Sequence, residues 1–157
     1  RLSVPGTTLA LTALYPALGL TLGFGAVALV QLPIMVVAAI IGVWLFSVQH
    51  RFEGTRWFRR ESWNAPAASL RGTSFLRLPG LLRWFTGNIG YHHVHHLNAR
   101  IANYRLAECH DANPALRQVP TLSLGAALRS SALWLWDEER GRMVSFAEAR
   151  AAAGSRR

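Results

Sequence analysis

The sequence predicts an all-α integral membrane fold, with a two-span transmembrane hairpin over residues 8–49 and a helical cytoplasmic cap over residues 50–157. Three observations predict it. From Leu2 to Gln49 there is no Asp, Glu, Lys, Arg or His, whereas a helix in water must solvate one face. The whole 157-residue chain is 51% hydrophobic and only 16% charged, below the roughly 25% charged content of a soluble domain. Every acidic residue, and every basic residue except Arg1, follows the apolar run.

As one helix the run would measure roughly 70 Å, far beyond a bilayer core of about 30 Å that about 20 residues span. It therefore divides into two spans. The break falls either at Gly23-Phe24-Gly25 or at Gln31-Leu32-Pro33, both of which carry helix-punctuating residues. The working division puts the first span at residues 8–28 and the second at 33–48. A signal peptide does not account for the run, because its apolar core would hold only about 7–15 residues. Arg51, Arg56, Arg59 and Arg60 follow the second span, offset nearby by Glu53, and such a cluster marks the cytoplasmic end of a span. A formal charge of +9, carried entirely by arginine among the basic side chains, thus points to lipid headgroups rather than nucleic acid. The single cysteine, Cys109, excludes an intrachain disulfide framework and fits a reducing compartment.

In the cap, residues 69–85 mix Leu70, Phe75, Leu76, Leu81, Trp84 and Phe85 with Arg71, Arg77 and Arg83. That mixture suits either a segment in the membrane interface with snorkelling arginines or a core segment of the cap. Residues 122–136 read as a further helix, stopped by Asp137, Glu138 and Glu139. The small, basic tail 149–157 is expected to fray. Because the sequence opens on Arg1 rather than Met, a longer parent chain is expected.

Histidine is distributed unevenly. Four of the six lie in Tyr91-His92-His93-Val94-His95-His96. On a helix His92, His95 and His96 fall at i, i+3 and i+4, within an arc of about 100°. Three neutral imidazoles on one face suit a borderline metal such as Fe, Zn, Cu or Ni. His50, the first ionisable side chain after the apolar run, is a fourth candidate ligand, since such groups at a membrane boundary are costly unless functional or snorkelled. His93 lies a further step around the helix and is left unassigned, and His110 has no partner at metal-binding spacing. Glu53, one helical turn beyond His50, and Asn88, one turn before His92, are candidates to hydrogen-bond the ligands from behind. For Asn88, capping of the loop after Gly87 is the competing role, and for Glu53 an ion pair with Arg56 or Arg59. No GxSxG, GxxxxGK[ST], CxxC or HExxH motif occurs, which removes the nucleophile-elbow, phosphate-loop, dithiol and zinc-hydrolase chemistries those motifs carry.

These elements resemble the membrane fatty acid desaturases. The resemblance rests on Val48-Gln49-His50-Arg51-Phe52-Glu53, on Trp84-Phe85-Thr86-Gly87-Asn88-Ile89-Gly90-Tyr91-His92-His93-Val94-His95-His96, and on Asn103-Tyr104-Arg105-Leu106. It implies a di-iron centre at the cytosolic face of a membrane, in a bacterium the inner membrane, with His92, His95 and His96 as the last histidine box and His50 as the additional ligand after the last span. His93 falls at a variable position of that box. The resemblance further implies an acyl or membrane-lipid substrate, O2, and an external ferredoxin- or cytochrome-type electron donor. Ala99 and Ala102 stand where many relatives carry proline. The family's two earlier histidine boxes have no counterpart, since no histidine precedes His50. The expectation is the C-terminal part of a desaturase, with two irons partly liganded from a missing N-terminal half and no activity alone. A lipid or carotenoid hydroxylase or ketolase would use the same ligands. A non-catalytic metal-binding module would need an ion path through the spans, which offer only Thr, Ser, Tyr15, Gln31 and Gln49.

Overall fold

A computed structural model describes residues 3–154. The chain divides after Val43 into two compact units. The first holds α1 (Ser3–Leu22) and most of α2 (Phe24–His50). Gly23 alone separates the two helices, with a φ of 88°, a left-handed conformation that glycine adopts without a Cβ penalty. Its N–H closes onto the Gly19 carbonyl at 3.0 Å, and the Phe24 ring covers Gly19 where a Cβ would sit 2.2 Å from a ring carbon. The break thus belongs to the glycine site, and the division at 28/33 is corrected. Pro33 stays inside α2, so the proline does not end the helix. In α1 the hydroxyls of Thr7, Thr8 and Thr21 bond to carbonyls of the preceding turn. Among the described residues α2 is the one helix long and apolar enough to cross a membrane.

The second unit begins with the last two turns of α2, which enter a mixed domain. After a 3-10 turn at Arg60–Ser62 come α3 (Ala65–Arg71), β1 (Phe75–Arg77), α4 (Gly80–Phe85) and α5 (His92–Leu97). They are followed by α6 (Leu106–Ala112), β2 (Thr121–Ser123), α7 (Leu124–Ser130), β3 (Leu135–Asp137), β4 (Arg142–Val144) and α8 (Phe146–Gly154). The molecule is mostly helical, and the all-α expectation is corrected by these four short strands. β1 and β2 run parallel, Leu76 opposite Leu122, and β3 and β4 form an antiparallel hairpin, Trp136 opposite Met143.

β1 explains how the core is arranged. Successive strand side chains point to opposite faces, so Phe75 joins a cluster with Tyr91, Val94, Leu106, Leu116 and Val119. Leu76 joins another with Leu45, Val48, Leu78 and Ala127. The first cluster seats α5 and α6, and the second seats the end of α2. Trp44 reinforces the latter by donating its indole N–H to Ser131 Oγ at 2.9 Å. Within the 69–85 segment, residues 73–76 and 78 are buried in the core, and the large apolar side chains of α4 are exposed.

Residues 122–136 do not form one helix. Ser123 caps α7 by accepting from the Ala126 N–H, and the chain then turns into β3. The acidic cluster builds the β3–β4 turn, where Asp137 accepts the Arg140 N–H at 3.0 Å and Gly141 takes a φ of 60°. The tail is helical through Gly154, because Ser145 and Glu148 form reciprocal capping bonds at 3.2 and 2.8 Å; the last three residues lie outside the described region.

Gly90 carries the approach of the chain to β1. The Leu76 N–H donates to the Gly90 carbonyl at 2.9 Å, and a Cβ at Gly90 would sit 2.3 Å from the Leu76 carbonyl oxygen. Backbone cannot yield as a side-chain tip can. Gly90→Ala is expected to destabilise the protein by about 1–3 kcal/mol, read as a lowered thermal unfolding midpoint in detergent micelles, whereas Gly80→Ala, with nothing within 4 Å of its Cβ, serves as the neutral comparison.

Candidate metal centre

His50 ends α2, and α5 opens with His92 directly after the Gly90 contact. The two elements meet through imidazoles. His50 Nε2 lies 2.9 Å from His92 Nε2, His96 Nε2 lies 3.1 Å from His92 Nε2, and His96 Nε2 lies 3.3 Å from His50 Nε2. His92 and His96 share one face of α5, as their i, i+4 spacing requires.

Three mutually adjacent ring nitrogens cannot satisfy one another. Each imidazole nitrogen carries either a proton or a lone pair, never both, so a triangle of them forms at most one ordinary hydrogen bond. A cation accepts all three lone pairs. For metal–nitrogen bonds of about 2.0–2.1 Å, ligand nitrogens stand about 3.3 Å apart in a tetrahedron and about 2.9 Å apart in an octahedron. The observed edges span that interval. These three histidines form the one group among the described residues with metal-ligand proximity.

Protonation agrees with this use. Burial, followed by repulsion from His50, His96, His95 and His93, holds His92 down at about 3. His96 is also lowered, by burial first and then by His50 and His95. Both rings are therefore neutral near pH 7, with lone pairs available. The Phe46 ring packs 4.9 Å from His50 and edge-on to His92, so an apolar side chain closes one side. Toward solvent, a cleft of about 500 Å³ reaches His50 and His96 between Trp57, Phe58, Trp63 and Arg56.

The supporting groups differ from expectation. His50 Nδ1 lies 3.2 Å from the Gly72 carbonyl, and an N–H donated there fixes the tautomer that turns an Nε2 lone pair toward the cluster. Glu53 is exposed; α2 stops at His50 and the chain bends, so the one-turn stacking assumed for Glu53 does not arise. Asn88 adopts a φ of 58° and donates from Nδ2 to the Asn103 carbonyl at 3.0 Å. It shapes the loop instead of reaching His92, whose buried Nδ1 has no partner among the described residues.

His95 is exposed and stands apart from the triangle, its ring centroid 5.9 Å from that of His92. His93, fully buried, bonds to His110 through Nε2 and Nδ1 at 2.9 Å. The pair lies against Phe75 and Tyr91 and ties α5 to α6, so His110 does have a histidine partner. The available signal was chemical: a histidine on the inward side of α5, away from the ligand face, needs a polar partner, and His110 was the remaining histidine.

Removing one corner should be felt at once. His50→Ala in the full-length protein is expected to weaken binding of added Co2+, followed by its ligand-field spectrum, by more than about 10-fold, since even outer-shell partners of ligands contribute 10–100-fold. Unchanged affinity would show that the triangle does not bind metal.

The geometry stands beside clear sequence relationships. The family model for fatty acid desaturases matches residues 3–123. A curated relative from Bacillus subtilis (strain 168), named fatty acid desaturase, is 47% identical over 140 residues, covering 89% of this chain. The chain spans 40% of that relative's length. No solved structure matches. A match across most of the chain, including the end of α2 and the histidine box, establishes that this chain belongs to the fatty acid desaturase family.

Proposed function

We propose that this chain is the C-terminal portion of a membrane di-iron fatty acid desaturase, which introduces a double bond into an acyl chain with O2 and two external electrons. The convergence of three Nε2 atoms at 2.9–3.3 Å carries the reading, because three converged imidazole lone pairs suit a bound transition-metal cation. His50, His92 and His96 would hold one iron. His95, at the same box and turned away from the triangle, would serve the second together with histidines from the rest of the protein. On that division the second iron depends on histidines beyond these four, so this portion alone is expected to be inactive.

The chemistry requires such a centre. The C–H bonds of two adjacent methylenes have no useful acidity, so no side-chain base removes them, and bound iron supplies the oxidising power drawn from O2. In balance, the acyl chain gives up two hydrogens, the donor gives two electrons, two protons enter, and O2 leaves as two waters. The protein's share is to hold and orient. Gly72 fixes the His50 ring, Phe46 keeps water from one side, and the Trp57–Trp63 cleft gives access from the other.

The length and composition of α2 support placement in a membrane. From Phe24 to Val43 it would measure about 30 Å, the thickness of the hydrocarbon core. The final turns, from Trp44 on, then emerge at the polar boundary where tryptophan concentrates. In this reading α1 is the other, less apolar span of the pair, and Arg51, Arg56, Arg59 and Arg60 favour the cytoplasmic side for the histidines. An acyl chain thus reaches the site without crossing water.

Expression of the full-length protein in a host lacking desaturases is expected to yield unsaturated acyl chains by mass spectrometry. Hydroxylated chains with no alkene would contradict the proposal in favour of an oxygen-inserting relative. His95→Ala is expected to reduce product at least about 100-fold, more than loss of an outer-shell partner would.

A further inference from the structure

α4 is amphipathic in the inverted sense. Leu81, Leu82, Trp84 and Phe85 fall within an arc of about 160°, and three of them are 69–75% exposed. The one charged residue of the helix, Arg83, turns inward and donates to the Tyr91 hydroxyl at 3.3 Å. A helix at a water-facing surface would do the reverse. The position of α4 says what it faces. Leu78, just before it, and Ile89, just after it, pack in one cluster with Trp44, Leu45 and Val48 of α2. α4 is therefore held beside the point at which α2 passes from apolar to polar surroundings. Charge points the same way: residues 62–107 contain no Asp or Glu, while Arg71, Arg77 and Arg100 are exposed among them.

We infer that α4 is an interfacial anchor whose Leu81–Trp84–Phe85 face inserts into the headgroup–acyl boundary of a bilayer containing anionic phospholipid. Trp and Phe on the inserted face, with Arg nearby, are the residue types such helices use. The anchor fixes the height of the segment joining β1 to α5, and through it the height of the histidine cluster above the acyl chains. This inference rests on the reading that α2 crosses the bilayer, and its test separates the two.

A nitroxide is placed by Trp84→Cys, and separately by Phe85→Cys, in the full-length protein with other cysteines replaced. The protein is reconstituted in phosphatidylcholine–phosphatidylglycerol vesicles, and collision with O2 is compared with collision with a water-soluble nickel chelate. The ratio at both sites is expected to exceed several-fold that at Ala115→Cys in the exposed loop before β2. A ratio equal to that of position 115 would overturn the inference by placing α4 in water. Protection from both relaxants would overturn it by placing another protein surface, from the rest of the chain or a second copy, on this face. Ile40→Cys within α2 is the control: lipid contact there without lipid contact at 84 and 85 refutes the anchor alone, and water contact there refutes the spanning reading and the anchor with it.

Discussion

Three imidazole nitrogens held in mutual contact are the constraint around which the rest of the second unit is organised. Such a triangle is unfavourable by itself: its lone pairs are crowded, its protons have too few acceptors, and burial depresses the basicity of His92 and His96. The surrounding structure has to impose it. That cost becomes useful when a cation arrives, because ligands already neutral and already converged lose little freedom on binding.

The imposition can be traced through named contacts. β1 separates two apolar clusters, and its alternating side chains lock one to the end of α2 and the other to α5 and α6. The Leu76–Gly90 hydrogen bond brings the chain against β1 two residues before His92. The Gly72 carbonyl turns the His50 ring from the opposite side. His93 and His110 bind α5 to α6 within the core, so the helix cannot rotate to relieve the triangle. The exposed ion pairs contribute little to this. Arg59 with Glu138 and Arg105 with Glu108 sit in solvent, where pairs are worth about 0–1 kcal/mol.

Much of this was legible in the residues. The uncharged run announced the apolar helices, and the i, i+4 relation of His92 and His96 needed only helical periodicity. His50 was visible as the first ionisable group after the run. What escaped depended on tertiary context. Gly23 and Pro33 are both helix breakers by composition, and only the packing of Phe24 over Gly19 selects the former. Glu53 would stack on His50 only if α2 ran one turn further, and a backbone carbonyl such as Gly72's leaves no mark in a sequence pattern. The strands are three residues each, too short for alternation to register. The separation of His95 from the triangle was likewise hidden, since i+3 and i+4 positions share a helical face and only ring orientation tells them apart.

X-ray absorption at the iron edge, on the full-length protein isolated without oxygen, tests the central claim most directly. The account predicts two irons per polypeptide, a shell of imidazole nitrogens with its characteristic outer-ring scattering, and loss of part of that shell in His96→Ala. A preparation holding zinc in place of iron, or iron whose nitrogen shell is untouched by that substitution, would contradict it.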